Sequence, residues 1–370
     1  MSGRRLGLLV PGFSASEEDW CIPALLDLVR ALAAEDDVRV FALRHPAREE
    51  RYSVAGAEVI PFGGDGGGAW GRVLRFRRVV RTIVAEHRRR PFDLLHAFWA
   101  HEPGALGALA AARIGRPLVV SVLGGELVHL PAIRYGGGEG PLNRHLASFA
   151  LSRARLVTAG SRFLLAEAAE RVAEDRLALA PLGVSTERFF PARAPRLEGA
   201  PALLSVASLV PVKGHAVLLD ALARVAAARP GAVLHLAGAG PRRDAIVARA
   251  GVLGVERRLR LHGELPHDAL PALYRGADLV VVPSLFESQC LAALEAAACG
   301  TPVAGSAVGI LPEIVPQELL APPGNAAELA AAIEAGLAPA ARAGALRAPL
   351  PPGLALAGSV ARWRELHARL

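Results

Sequence analysis

Two glutamates and one lysine carry the most chemistry in this sequence. Glu287 and Glu295 stand eight positions apart within residues 283–302, PSLFESQCLAALEAAACGTP. That spacing is a little over two helical turns, about 12 Å of rise if every residue is helical. The two carboxylates therefore do not form a close acid–base pair, but they can hold two ends of one extended ligand. Glu295 falls among Ala and Leu, where a carboxylate needs hydrogen-bond donors, and ribose hydroxyls would supply them. The plain alternative is a pair of surface glutamates flanking a core helix. Lys213 lies near the end of residues 206–214, VASLVPVKG, just ahead of a helical pattern, and it is the only lysine in the chain. An ammonium at that place is a ready ligand for a diphosphate; otherwise it is a solvated side chain.

The elements that must position these residues are legible in outline. Short apolar runs at 6–10, 38–43, 94–97, 118–122 and 156–159 alternate with helical periods, and so do runs at 202–207, 233–237, 259–262, 279–283 and 302–305. Runs so short and apolar throughout read as strands buried on both faces of parallel sheets. Their alternation with helices predicts a doubly wound α/β architecture. A helix is expected to open near Cys290, with Ser288 as its N-cap, and to stop at Gly300 ahead of Pro302. Its N-terminus then lies at the C-terminal end of a parallel strand, where such sheets bind ligands and helix dipoles favour phosphate. A glycine turn, LAGAGPR at 236–242, lacks the last glycine of a dinucleotide fingerprint, and none of the apolar runs read as strands is followed directly by a full GxGxxG with an acidic residue about 20 positions on. That argues against a nicotinamide dehydrogenase.

Composition sets the outer limits. The chain has 370 residues, 52% of them hydrophobic, with Lys+Arg 42 against Asp+Glu 35 for a net charge of +7. That suits two α/β domains and an anionic ligand or surface. We expect an N-terminal domain over 1–190, joined by a C-terminal helix at 354–370, and a second domain over 200–350. Residues 190–201, rich in proline, read as a linker, and 339–353 as irregular. The glycine-rich stretches 63–68 and 136–140 read as surface loops. Three cysteines without zinc spacing, and no long uncharged apolar run, point to a reducing cytoplasm. Residues 70–90 are the most basic stretch, with Val73, Phe76, Val80 and Ile83 on one helical face and Arg72, Arg75, Arg78 and Arg81 elsewhere. They read either as a surface helix with a solvated arginine face or as attachment to an acidic membrane surface on the cytoplasmic side or to a lipid-linked acceptor, the acceptor otherwise being a small molecule or a glycan. Nucleic acid is not an expected partner.

In this order and spacing, VASLVPVKG, LAGAGPRRD, the stretch from LHGELPHDALPALYRGAD through ESQCLAALEAAACGTPV, and VGILPEIV resemble family 4 of the retaining glycosyltransferases. The likeness is close over about 200–335 and looser through LLHAFWA, AGSRFLLAEA and PLGVSTERFFP. It implies the GT-B fold, two Rossmann-like domains facing across a cleft, with the acceptor on the first and a nucleotide-diphosphate sugar on the second. By resemblance, Glu295 would hold the donor ribose, Glu287 would lie at the transferred sugar, and Lys213 would bind the leaving diphosphate. Gln289, Cys290 and Leu291 would offer backbone amides to the phosphates. Ser208, Gly240 and Arg242 would border the same site, and Gly263, Glu264 and Leu265 the base. His96 would act near the donor sugar, Gly12 would approach the sugar and acceptor, and Gly125 and Glu126 would meet the acceptor. Ser208 stands where the family often has arginine, Ser288-Gln289-Cys290 where it has a glycine-containing loop, and Leu182 where an asparagine is usual. No cofactor and no metal are expected, since no DxD motif occurs and an ammonium with helix amides can stabilise the leaving group. The alternatives are another GT-B-like enzyme, such as a phosphorylase or nucleotide-sugar epimerase, and a non-catalytic nucleotide-sugar-binding protein.

Overall fold

The computed structural model describes residues 3–19, 21–63, 68–137, 140–339 and 350–370. The chain divides into two units, Met1–Gly183 with Leu356–Leu370, and Val184–Ala355.

In the first unit the strands are β1 (Arg5–Gly12), β2 (Asp37–His45), β3 (Tyr52–Val54), β4 (Ala57–Pro61), β5 (Leu94–Phe98), β6 (Leu118–Val122), β7 (His129–Leu130), β8 (Tyr135–Gly136), β9 (Leu156–Ala159) and β10 (Leu177–Leu179). Among the described residues, eight of them form one sheet in the order β10-β9-β6-β5-β1-β2-β4-β3, while β7 and β8 make a small hairpin. Its pairings are parallel except for β3 on β4. Helices α1 (Pro23–Ala33), α2 (Gly68–Arg89), α3 (Glu102–Ile114), α4 (Pro141–Arg153) and α5 (Arg162–Ala169) connect the strands. Leu6, Leu8, Leu9 and Val40 are wholly buried, as strands covered on both faces require.

The second unit runs β11 (Ala202–Val206), α6 (His215–Ala228), β12 (Val233–Ala237), α7 (Arg243–Val252), β13 (Leu259–Gly263), α8 (Leu270–Gly276), β14 (Leu279–Val282), α9 (Leu291–Ala298), β15 (Val303–Ser306), α10 (Leu311–Ile314), β16 (Leu320–Ala321) and α11 (Ala326–Gly336). Its sheet, in the order β13-β12-β11-β14-β15-β16, is parallel throughout. Strand order reverses between β11 and β14, which makes that junction the topological switch point. Leu218 and Leu222 of α6, Leu294 of α9 and Ile333 of α11 pack on Leu204 and Val280 in its core. The doubly wound, two-Rossmann architecture expected from the sequence is the one found.

The chain leaves the second unit at Ala355 and returns to the first as α12 (Leu356–Ala368). There Trp363 is fully buried and His367 nearly so. Val184 N donates to Leu354 O at 3.0 Å, so the two crossing points lie side by side. The division at Gly183 precedes the proline-rich segment, and residues 184–201 belong with the second unit. Glycine-rich residues 64–67 and 138–139, and residues 340–349 of the irregular stretch, lie outside the described residues.

The basic helix differs from its sequence reading. Val79, Val80 and Ile83 form the buried stripe, whereas Val73 and Leu74 stand 47% and 62% exposed. Arg75, expected on the solvated face, is 11% exposed and turns with Arg44 and Arg72 towards the buried Glu102, at 3.5, 2.9 and 3.5 Å. The buried carboxylate draws cations inward, an interaction that helical periodicity does not encode.

Candidate functional site

The loops that follow β11 and β14 are laced together at the switch point. Leu285 N donates to Val212 O at 2.8 Å. A short turn, Pro211–Lys213, ends at Gly214 with φ of 67°, and a Cβ there would lie 2.0 Å from Pro283 O. Only glycine fits, because the conformation is left-handed and backbone occupies the space. This packing delivers Lys213 to Glu287: Nζ donates to Oε1 at 2.6 Å, and Ser284 Oγ donates to the same oxygen at 2.7 Å. His215, the first residue of α6, is buried, and burial followed by Lys213 holds its pKa down to about 4, so it adds no second charge beside the ammonium.

Helix α9 opens two residues beyond the expected cap. Cys290, not Ser288, is the N-cap, with φ of 78°. Gly309 lies close behind the turn, where a Cβ would meet Glu287 Cβ at 2.8 Å and Gln289 O at 2.9 Å, and Ile310 N donates to Gln289 O at 2.9 Å. The turn of Gln289, Cys290 and Leu291 is thereby fixed with the helix N-terminus at the end of β14, a place suited to an anion. The Cys290 thiol is pushed up by burial first and Glu287 next, with Lys213 opposing and Glu295 adding to the rise. One side chain thus senses all three charged groups singled out in the sequence, and the structure brings them together.

Glu295 does not wait for a ligand to find donors, as the sequence reading supposed. His267 Nε2 reaches Oε1 at 2.8 Å and Tyr274 OH donates to Oε2 at 2.8 Å. Tyr274 is fully buried, and burial, then Glu295, pushes its phenol well above the ordinary range. Phe189 packs against both rings, at 5.2 Å from His267 and 6.0 Å from Tyr274. Neither His267 nor Tyr274 was singled out in the sequence. His267 lies in the short turn ahead of α8 and Tyr274 within α8, so helical periodicity does not pair them; the need of a buried tyrosine for a partner was the available signal.

Other expected residues collect at the same sheet edge. Ala207 N donates to Ala237 O, Arg242 N to Leu209 O and Gly238 N to Gly263 O, at 3.0, 3.0 and 2.7 Å. Ser208, Gly240, Arg242 and Gly263 therefore stand on adjacent loops at the C-terminal ends of β11, β12 and β13, followed by Glu264 and Leu265. The positive φ of Gly240, 158°, accompanies a close approach to Leu209 O, 2.6 Å from any Cβ.

The first unit departs further from expectation. Gly12 ends β1 and packs against His45 and Cys21, either of which a Cβ would meet at 3.1 Å. Glu126, beside Gly125, is buried and turns its Oε1 to the backbone N–H groups of Ala100 and Leu123 at 3.3 and 3.2 Å, while burial pushes its carboxyl up. It braces its own loop. His96 requires correction as a reacting group. It sits in the middle of β5, fully buried, with Nε2 on Ser121 Oγ at 2.7 Å and Nδ1 on His367 Nε2 at 3.2 Å. Both ring nitrogens are spent on the interior, where Trp363 and Phe98 also pack on the ring.

Residues 22–183 match the glycosyl transferase 4-like domain, and residues 187–339 match glycosyl transferases group 1. The chain is 33% identical over 271 residues to a D-inositol 3-phosphate glycosyltransferase of Thermomonospora curvata, covering 65% of this chain and 61% of that protein. It is 32% identical over 269 residues to the 2-deoxystreptamine glucosyltransferase of Streptomyces kanamyceticus, covering 68% of this chain and 70% of that one. In fold it is similar to sucrose-phosphate synthase from Thermosynechococcus elongatus, with a TM-score of 0.81 at 23% identity over 99% of this chain and 98% of that one. It is similar also to Anabaena HepE in complex with UDP and glucose, with a TM-score of 0.76 at 20% identity over 99% and 100% of the two chains. With both units matched, the chain belongs to the glycosyl transferases group 1 family, family 4 of the glycosyltransferases, with the GT-B fold.

Proposed function

We propose that the protein is a retaining glycosyltransferase that moves a sugar from a nucleotide-diphosphate sugar to an acceptor hydroxyl without a metal ion. The observation that carries this reading is the switch-point cluster: one ammonium, one helix N-terminus and two held carboxylates at a single sheet edge. In the step proposed, the acceptor oxygen bonds to the anomeric carbon as the bond from that carbon to the diphosphate oxygen breaks. The electron pair leaves with the diphosphate, whose oxygen takes the acceptor proton on the same face. Lys213 and the amides that open α9 stabilise the charge growing on the leaving group. Glu287, anchored by Lys213 and Ser284, meets the sugar, and Glu295 holds the ribose. Exposed Arg242 supplies further positive charge where Ser208 replaces a cation. Nucleotide binding is assigned to the second unit and the acceptor to the first. The relatives' names differ in acceptor, so the assignment stops at a hydroxyl group.

A thermal-shift panel of UDP-, GDP- and ADP-sugars tests the donor assignment. One nucleotide series should stabilise the wild type, chelator should leave the shift unchanged, and Glu295→Ala should abolish it. A flat response to all three series would overturn the reading. Proton NMR of the product should show the donor's anomeric configuration preserved.

Among the described residues no helix is long and apolar enough to cross a membrane. For contact with an acidic cytoplasmic membrane surface, the supporting feature is α2, where exposed Val73 and Leu74 adjoin Arg72, Arg77, Arg78 and Arg81. Vesicles rich in phosphatidylserine should sediment with the wild type at low salt, and Val73→Asp with Leu74→Asp should reduce that several-fold. Equal sedimentation of the variant would remove α2 from membrane contact.

A further inference from the structure

We infer that His267 and Tyr274 are positioning residues for Glu295, and that Arg188 sets the one tautomer of His267 in which this arrangement works; the inference rests on the nucleotide-sugar reading above.

A carboxylate offers about four acceptor positions, two on each oxygen. His267 occupies one on Oε1 and Tyr274 one on Oε2, at 2.8 Å each. One position per oxygen is left over. Two vicinal hydroxyls match that remainder, so the carboxylate is prepared for a diol. Without the two protein donors its terminal torsion is soft, and the ligand would have to order it on arrival.

The protonation of His267 follows from its other neighbour. Arg188 Nη1 lies 3.1 Å from Nδ1. A guanidinium can only donate, so Nδ1 carries the lone pair and Nε2 carries the hydrogen that Glu295 receives. Arg188 is itself held, with Nε 3.0 Å from Asp268 Oδ1 and its carbonyl accepting from Arg275 Nη2 at 3.2 Å. The imidazole therefore meets Glu295 as a neutral donor. A charged ring would take over part of the carboxylate's negative charge and weaken its grip on the diol. Phe189, against both rings, keeps the two donors in register. The segment expected to be a plain linker starts immediately after these residues, so the chain entering the second unit forms the back of the ribose site.

The test compares the full chain's affinity for the best-bound of UDP, GDP and ADP with that for its 2′-deoxy counterpart, by calorimetry. Wild type should favour the ribonucleotide. His267→Ala should weaken ribonucleotide binding by about tenfold, in the range that loss of an orienting partner costs, and leave the deoxynucleotide nearly unchanged. His267→Gln, whose amide nitrogen can stand where Nε2 stands, should recover most of the preference. Tyr274→Phe should compress the preference as His267→Ala does, and Arg188→Leu should do so more weakly. Equal weakening of both nucleotides by His267→Ala, or none, would overturn the inference, because a merely structural role does not distinguish the two ligands. Glu295→Ala separates this from the parent reading. If it leaves the ribose preference intact, or if no nucleotide binds the wild type, the donor assignment itself is what fails.

Discussion

Replacing Lys213 by alanine should lower the rate of sugar transfer by about two to three orders of magnitude, the usual effect of removing one donor aimed at developing charge. Nζ sits 2.6 Å from Glu287 Oε1, and the lysine side chain is 27% exposed. Removal acts twice. On the function proposed above the leaving diphosphate loses its cation, and Glu287, whose side chain is 9% exposed, loses one of the donors to its Oε1, Ser284 being another. An unpaired buried carboxylate is costly, so part of the loss should reflect a misplaced Glu287. Lys213→Arg should recover only a fraction, because a planar fork does not occupy the place of a compact ammonium. Initial rates with the donor found by thermal shift measure both variants. Activity of Lys213→Ala within about threefold of wild type would remove the lysine from the mechanism. The expected fold-change in kcat exceeds that in KM if the charge develops chiefly in the transition state.

Acid should destabilise the first unit more than the second: the first carries His367 and His96, both buried and held neutral, and the second carries His215, held down to about 4. His367 is buried and its pKa is pushed from the ordinary 6.5 down to about 4, by burial first and Arg4 next. His96 is pushed well below the ordinary value, by burial first and His367 next. The groups facing this pair are Ser121, Phe98, Trp363 and Arg4, none of which can neutralise an imidazolium. A histidine pKa lowered on folding means that the unfolded chain takes up the proton first. The stability from the neutral form is complete above about pH 6.5 and falls as pH drops towards 4. For His367 the loss is roughly 3 kcal/mol across that window, at about 1.4 kcal/mol per unit, and His96 adds to it in the same direction. Urea unfolding between pH 7.5 and 4.5 should show one transition moving to lower denaturant while the other moves less. His367→Leu should flatten the moving transition. An unchanged slope in that variant would show that this pair does not set the acid limit.

Both expectations turn on how much the sequence reveals. Most strands of four residues or more were legible because a parallel sheet buries both faces, and an apolar run such as 233–237 records that directly; β4 (Ala57–Pro61), five residues long with Glu58 inside it, was not read. The short strands β3, β10 and β16, of two or three residues, carry too little pattern to stand out. Lys213 was legible as a candidate because it is the chain's only lysine, and Glu287 and Glu295 through their eight-residue spacing taken with the family resemblance. His96 was misread for a physical reason. A histidine in a β-strand looks the same whether its ring faces solvent or a helix from the other end of the chain, and here His367, 271 positions away, decides.

The sequence by itself determined the alternation of strand and helix and the two-unit plan, and it singled out three charged residues as candidates, since these depend on local periodicity and on residue type. Tertiary structure alone decided which partners those residues have. Glu295 meets His267 and Tyr274, Arg188 fixes the tautomer of His267, Cys290 takes the cap expected of Ser288, and Arg75 turns inward to Glu102. Each of these outcomes depends on the desolvation of a polar group and on which donors the packed chain brings within about 3 Å. Distances of that kind exist only once distant segments have come together.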